Sequence, residues 1–439
     1  MTTNELGSTG AFRNVHVIAD SDSRWKWGAS VADALVPPGE PARVVGHLLP
    51  GRAAPTDRQL EEVGSTAEIT RPGSLAELTV EDDLAAADIV VLACVGGTVQ
   101  ASLHGLRDAW AGRTRRPLVV TGYVGVVYER LVDGLLLRAG ADVVLANSAS
   151  DAARFRDVYA AVGGPVDSVV ETALPFLGGA QYDPTGVGTE RRFTVCFATQ
   201  PSVPPRRHER RYLLERAAQH AELHPDRDVL IKLRSRPDEQ TTHIERHHFT
   251  HLPVEPPPNL DFVYGAMSDV LDRTDLCVTI SSTAALEAMH RGIPTAVLTD
   301  MGIRESLGNH QFLGSGALVS WTDLDEGALP VADPDWLARN GGGHTDPYAA
   351  VRARLAELAA RDGLPPLHPW YDDRKAGGYL PHLLRRAGIR RHLDEPADDG
   401  GPLHRVRQRT RVIARRGARS IYRLSVRHVE PAVRRWAQL

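Results

Sequence analysis

Lysine is nearly missing from this chain: of 51 basic residues only Lys26, Lys232 and Lys375 are lysine. That bias toward arginine fits GC-rich coding, and it makes each remaining ammonium, a compact charge on a flexible stem, a position to watch. Cysteine is scarce too, and Cys94, Cys196 and Cys277 each lie in an apolar run (VVLACVG, FTVCFA, DLCVTI), so they read as small core residues rather than a disulfide or metal set. No run approaches the roughly 20 apolar residues that span a bilayer. The opening MTTNELGSTGAF lacks a basic stretch followed by an apolar one, so a cytoplasmic chain is expected. Neither GxxxxGK[ST] nor GxGxxG follows any apolar run, which argues against an NTPase or a nicotinamide enzyme. The scattered His and Asp residues are read as forming no metal set, and no metal or other cofactor is expected.

What is present is ordinary in bulk: 42% hydrophobic and 24% charged over 439 residues, more than one core usually organises, so two domains with appendages are expected. Apolar runs alternate with helical patterns. NVHVIADSD (14–22), ARVVGHLLP (42–50), ADIVVLACVG (87–96), RPLVVTGYVG (116–125) and ADVVLANS (141–148) read as buried strands, with segments such as VQASLHGLRDAWAG and SDAARFRDVYAAVG as helices between them. The turn-rich GGAQYDPTGVGTER (178–191) reads as a linker. Alternation then restarts through RFTVCFATQP, DVLIKLRS, NLDFVYG, DLCVTISS, IPTAVLTD and GALVSW. Strand, helix, strand in this order predicts two doubly wound α/β halves: residues 14–177 and 192–392, the second carrying closing helices. Two Rossmann-like halves on a short linker form a cleft where strand carboxyl ends face one another. Residues 393–439 read as a linker and an Arg-rich helical tail: residues 401–439 hold eleven arginines and one acid, contributing +10 to a net charge of −4.

The most informative segment is DLCVTISSTAALEAMHRGIPTAVL (275–298). A strand ends at Ile280, and a helix begins after two hydroxyls with Ser282 as its expected N-cap. Such a start points N–H groups and the positive dipole end at the space above the sheet, which suits a phosphate held by Ser281, Ser282 and Thr283. Glu287, one turn further in, is placed to accept a hydroxyl. An ordinary capped crossover helix is the alternative. In HPDRDVLIKLRSRPDEQTTH (224–243), Lys232, Arg234 and, as a spare, His243 are candidate phosphate ligands, against charges that merely solvate a loop. ADSDSRWKWG (19–28) places Asp20 and Asp22 at the first strand's carboxyl end, where a carboxylate can act as a base; either can equally cap the next helix or pair with Arg24 or Lys26. Trp25 and Trp27 read as stacking platforms or core. In TGYVGVVYE (121–129), Gly122 and Gly125 bracket Tyr123 and allow close backbone approach of a ligand, a tight crossover turn being the other reading. His310, in GNHQFLGSG, reads as a loop histidine more readily than as a catalyst.

SSTAALEAMHRGIP is similar to the serine-pair, Glu, Gly-x-Pro signature of bacterial capsule and cell-wall transferases of the GT-B kind, including sialyl- and polysialyltransferases and glycerophosphate polymerases. The wider chain, through VIADSDSRWKWG, FATQP, IKLRSRPDEQTTH and the serine pair, resembles over roughly residues 14–390 an actinobacterial family of glycosyltransferases with no assigned donor. The resemblance implies a GT-B-like α/β fold and a nucleotide-sugar donor bound by Lys232, Arg234, His243, Ser281, Ser282, Thr283 and Glu287. On their places at strand ends, Arg24, Lys26, Gly122 and Tyr123 are expected on the acceptor side, with Asp20 or Asp22 as catalytic base. In the capsule transferases a His-Pro pair meets the nucleotide phosphate; here Arg236-Pro237 stands in its place, which allows phosphate binding but not acid catalysis. The expected function is an inverting transfer of sugar, with a CMP-linked nonulosonic acid as one donor candidate, to a cell-envelope polysaccharide or lipid-linked acceptor. The alternatives are a non-hydrolysing nucleotide-sugar epimerase and a catalytically silent nucleotide-binding protein. The tail can be a membrane-surface helix, a nucleic-acid arm or a solvated helix docked on an acidic body. The first is favoured, at the inner face of the plasma membrane, with no nucleic acid expected as partner.

Overall fold

In the computed structural model, residues 12–36, 39, 41–51, 54–126, 131–237 and 245–389 are described; the basic tail and His243 fall outside them. The compact unit ends at Ile389. All eleven apolar runs named above form strands. The first half holds β1 (Asn14–Ala19), β2 (Arg43–Leu48), β3 (Glu68–Thr70), β4 (Ile89–Ala93), β5 (Leu118–Thr121), β6 (Val143–Ala146) and β7 (Val169–Glu171). They pair in parallel in the order β3-β2-β1-β4-β5-β6-β7. Strands β4, β5 and β6 are buried at every residue, as expected of parallel strands covered on both faces.

The second half holds β8 (Phe193–Ala198), β9 (Arg227–Lys232), β10 (Leu260–Val263), β11 (Leu276–Thr279), β12 (Thr295–Leu298) and β13 (Leu318–Val319), in the parallel order β10-β9-β8-β11-β12-β13. Two doubly wound parallel sheets make this a GT-B-like α/β fold. Each sheet reverses its winding once, between β1 and β4 and between β8 and β11, and the crevice at such a switch point is where open α/β sheets bind ligands.

The linker is tied to the second half. Arg191 donates two bonds to Asp275 (2.5 and 2.7 Å), a fully buried carboxylate that also accepts the Thr194 N–H, and Arg291 Nε donates to the Gly178 carbonyl at 2.6 Å. The closing helices behave differently from the sequence reading, which grouped them with residues 192–392. Tyr348, Val351, Leu355 and Leu358 pack into the first half's core with Val15, Trp25 and Leu35, while Leu367, Leu380 and Leu384 enter its opposite face. An amphipathic pattern shows that a helix has an apolar face; it does not show which sheet will cover it.

Candidate functional site

Both switch points are bridged by side chains. In the first half Asp20 follows β1, accepts from Arg24 (2.9 Å), and reaches across to the Val95 N–H (3.0 Å) at the start of the helix after β4. In the second half Gln200 follows β8; its Oε1 accepts the Ser281 N–H (3.0 Å) and its Nε2 donates to Ser281 Oγ (3.2 Å). Ser281 Oγ donates onward to the Leu307 carbonyl at 2.5 Å. Ser281 therefore ties three loops together. Ser282 and Thr283 remain at the mouth: the helix Ala284–His290 has Thr283 as N-cap without a side-chain bond, and Ser282 Oγ accepts the Ala284 N–H at 3.2 Å, so the hydroxyl cap sits one residue earlier.

The halves meet through charge. Arg234, just past β9, donates to Asp22 Oδ2 at 2.8 Å and also to Ser23 Oγ, joining residues 212 positions apart. Neither aspartate is placed as an unoccupied base, since Asp20 serves Arg24 and Val95, and Asp22 serves Arg234 and accepts from Ser23 Oγ (3.2 Å). Gly125 of the first half lies so near Thr283 that a Cβ there would stand 3.4 Å from the threonine methyl.

Glu287 lies in this junction. It is 5% exposed, and its carboxylate accepts no hydrogen bond among the described residues. Burial raises its pKa, while the charges of Lys26, Arg291 and Lys232 draw it back down. Lys26 comes from the first half and extends over the Phe176 ring at 5.3 Å. Lys232, 8% exposed at the end of β9, donates to the Leu233 carbonyl at 2.7 Å; burial lowers its pKa, partly offset by Cys196 and Glu62. The charges of two of the three lysines thus act on one buried carboxylate. A desolvated cluster of one anion and several cations at a cleft is suited to taking up another anion.

Other candidates have different surroundings. Trp25 and Trp27 are core, closing on Gly46 and Gly122, where any Cβ would meet their rings within 3 Å. The Tyr123 ring turns inward between Phe155 (5.5 Å) and the Arg138 guanidinium (3.9 Å). A His pair overlooked in the sequence stands at i and i+4 on the helix Arg207–Leu223 and its cap: His220 and His224 converge with Asp325. Arg216 occupies one Asp325 oxygen (2.6 Å) and His220 Nδ1 the other (2.7 Å), while Arg227 sits 3.2 Å from His220 Nε2, so the trio is knit into a network with two guanidiniums. The sequence also gave no sign of a cavity of about 390 Å³ between the halves, walled by Asn147, Asp151 and Arg154 on one side and by Gln311, Phe312 and Trp336 on the other. His310, read from the sequence as a loop histidine, lines it.

No curated protein matches the chain. Among solved structures, it is similar to the UDP-GlcNAc 2-epimerase of Methanocaldococcus jannaschii (11% identity, 77% of this chain and 98% of that one, TM-score 0.49). The UDP-N-acetylglucosamine 2-epimerase of Listeria monocytogenes, itself so described by assignment, stands beside it (14%, 80% and 95%, TM-score 0.48), as does the glycosyltransferase SnogD of Streptomyces nogalater (16%, 81% and 100%, TM-score 0.42). These likenesses do not choose between epimerase and transferase. Residues 15–358, well over half of the chain, match a family model, and the chain belongs to that family, described as "Putative glycosyltransferase (DUF6716)".

Proposed function

We propose that the chain transfers a sugar from a nucleotide-activated donor whose phosphates lie against Ser282, Thr283, Lys232 and Arg234. The observation that carries this reading is the buried Glu287, on which the charges of Lys26 and Lys232, one from each half, both act. A phosphate entering there meets ammonium and guanidinium groups already partly desolvated, which favours charge build-up on a departing nucleotide. Glu287 is left to accept a ribose or sugar hydroxyl. Asp20 and Asp22 hold the arginines in place, and a phosphate competing for Arg234 would loosen its bond to Asp22 and so couple donor binding to the hinge. The transfer is read as inverting and metal-independent, with the positive side chains supplying what a divalent ion would. A CMP-linked nonulosonic acid is one donor candidate and a cell-envelope or lipid-linked saccharide the expected acceptor, both on the sequence resemblance.

The test is a melting-temperature screen against CMP, UDP, GDP, dTDP and CDP, with Ser282→Ala beside the wild type. Ligand that binds only the folded state stabilises it by mass action, about 2.7 kcal/mol at a hundred times Kd. One nucleotide is expected to raise the wild-type melting point, with a smaller rise in the variant. No rise with any nucleotide would remove this reading, and isomerised nucleotide-sugar formed without an acceptor would decide for an epimerase.

The basic tail extends the proposal. Among the described residues no helix is long and apolar enough to cross a membrane, and a lipid-linked acceptor would be met at a surface. Removing residues 401–439 is expected to reduce binding to vesicles rich in anionic lipid, with the difference vanishing at high salt. Equal binding by the two proteins would reject a membrane role for the tail.

A further inference from the structure

The cavity between the halves is not used by the donor reading. Its volume, about 390 Å³, falls within the roughly 300–1000 Å³ of small-molecule sites. One wall is the start of the helix Ala149–Val162, where Ser148 accepts the Asp151 N–H at 3.0 Å. The reciprocal capping-box bond to the Ser148 N–H, of the kind made at Thr56 with Gln59 and at Ser320 with Asp323, is not made here; the Asp151 carboxylate instead meets the Ser148 hydroxyl and, at 3.6 Å, the Arg154 guanidinium. Asn147, 4% exposed, donates its amide to the carbonyls of Tyr123 and Gly125, yet its Oδ1 is buried in the cavity wall with no partner. Opposite, Gln311 Oε1 is likewise buried and unpartnered, and Phe312 and Trp336 stack at 5.7 Å. Unpartnered amide oxygens in the wall beside an aromatic face can accept hydroxyl donors once their side chains turn toward the cavity, and such surroundings suit a sugar ring. Next to the lining residue Asn340, Gly341 at φ +93° packs so near the Asn147 carbonyl that a Cβ would stand 2.5 Å from the oxygen.

The cavity also borders the donor cluster. Leu286, which lines it, lies three residues after Thr283 on the same helix, a rise of about 4.5 Å.

We propose that this cavity is the acceptor subsite, taking an uncharged, hydroxyl-rich saccharide, and that the Asp151 carboxylate is its catalytic base. The proposal rests on the reading of the chain as a nucleotide-sugar transferase. In the step, the acceptor O–H bond breaks and its proton passes to Asp151. The freed oxygen pair bonds to the anomeric carbon, while the carbon–oxygen bond to the donor phosphate breaks and its electrons leave on the phosphate. Burial pushes the Asp151 pKa up to about 6, against the pull of Arg154 and Ser148, so the group is a stronger base than an exposed aspartate and still mostly ionised at neutral pH. The other charged or titratable groups lining the cavity are Arg154 (3.6 Å from Asp151), Glu305 and His310.

The experiment follows free nucleotide released from the nucleotide-sugar whose base stabilises the protein, with methyl glycosides of glucose, galactose, rhamnose and N-acetylglucosamine as acceptors, from pH 5 to 8. Wild-type turnover is expected to fall on the acid side near pH 6. Asp151→Asn should lower kcat by about 10²–10⁴-fold with the nucleotide-induced melting shift unchanged, and His310→Gln should keep the acid limb. Gln311→Ala should raise KM for the glycoside more than it lowers kcat. Turnover preserved in Asp151→Asn, an acid limb that persists in it, or wild-type protein that binds nucleotide and releases none with any glycoside would overturn the proposal. Loss of nucleotide binding itself would instead strike the donor reading.

Discussion

Replacing Ser282 and Lys232 together by alanine is expected to abolish nucleotide binding and leave the fold standing. A hydrogen bond to a charged group contributes about 1.5–3 kcal/mol, so losing the ammonium and the hydroxyl together lowers affinity by roughly three orders of magnitude, at 1.4 kcal/mol per decade. The fold should tolerate the change because neither side chain carries the core. Lys232 is a desolvated cation whose only bond among the described residues is to the neighbouring Leu233 carbonyl, and Ser282 is half-buried at a helix start whose anchoring to other loops falls to Ser281. Removing Lys232 also leaves Glu287 the counter-charges of Lys26 and Arg291. The measurement is the melting point of the double variant with and without the nucleotide that stabilises the wild type. A wild-type shift in the variant would mean that the nucleotide binds elsewhere. A collapse of the melting point without ligand would mean that the pair is structural, and Lys232→Met, which keeps the buried stem, separates the two outcomes.

The fold was legible because parallel strands buried on both faces are short unbroken apolar runs, and all eleven runs became strands. The two that escaped notice, β3 and β7, have three residues each and lie at the sheet's edges, where one side needs no apolar cover. The lysine count pointed to Lys26 and Lys232, and in the structure the charges of both act on Glu287. The structure brings Lys375 over the Trp370 ring at 3.7 Å, a contact no local pattern announced. Ser281 was legible as a site residue and is occupied in holding Gln200 and the Leu307 carbonyl, because a strand end at a switch point must also fix the loops around it. What the sequence hid depends on pairing at a distance. The bond from Arg234 to Asp22 spans 212 residues, and Asp151 looks in the chain like any acidic residue in a helix's first turn. Only the packing of Gln311, Phe312 and Trp336 opposite makes it the wall of a cavity.

Acid should weaken the first half through a buried histidine pair remote in chemistry from the site. His16 and His47, on neighbouring strands β1 and β2, are 0% and 1% exposed, with His16 Nδ1 and His47 Nε2 2.8 Å apart. The outer contacts fix the protons. Asn14 Oδ1, 3.2 Å from His16 Nε2, accepts from it, so His16 Nδ1 must accept from His47 Nε2–H, and His47 Nδ1 then accepts from Thr70 Oγ at 2.7 Å. Both rings are neutral in this chain, and protonating His16 Nδ1 would set two N–H groups against each other. Burial pushes the His47 pKa down from 6.5 to about 4, helped by His16 and Arg43 and opposed by Asp83; His16 is lowered as well, with Asp83 and Glu68 opposing. Below pH 6.5 the unfolded chain binds protons that the folded chain refuses, so stability falls as pH drops from about 6.5 to about 4 and levels off beyond. At 1.36 kcal/mol per unit, His47 alone contributes about 3 kcal/mol of that loss. Urea titrations at pH 7.5 and 4.5 on wild type and His47→Gln, whose amide can replace the bonds without titrating, test it. The variant should start less stable at pH 7.5 and lose less on acidification. Parallel losses in the two proteins would place the acid lability in carboxylates instead, such as Asp83, which its bond to Arg43 holds below the ordinary carboxylate range.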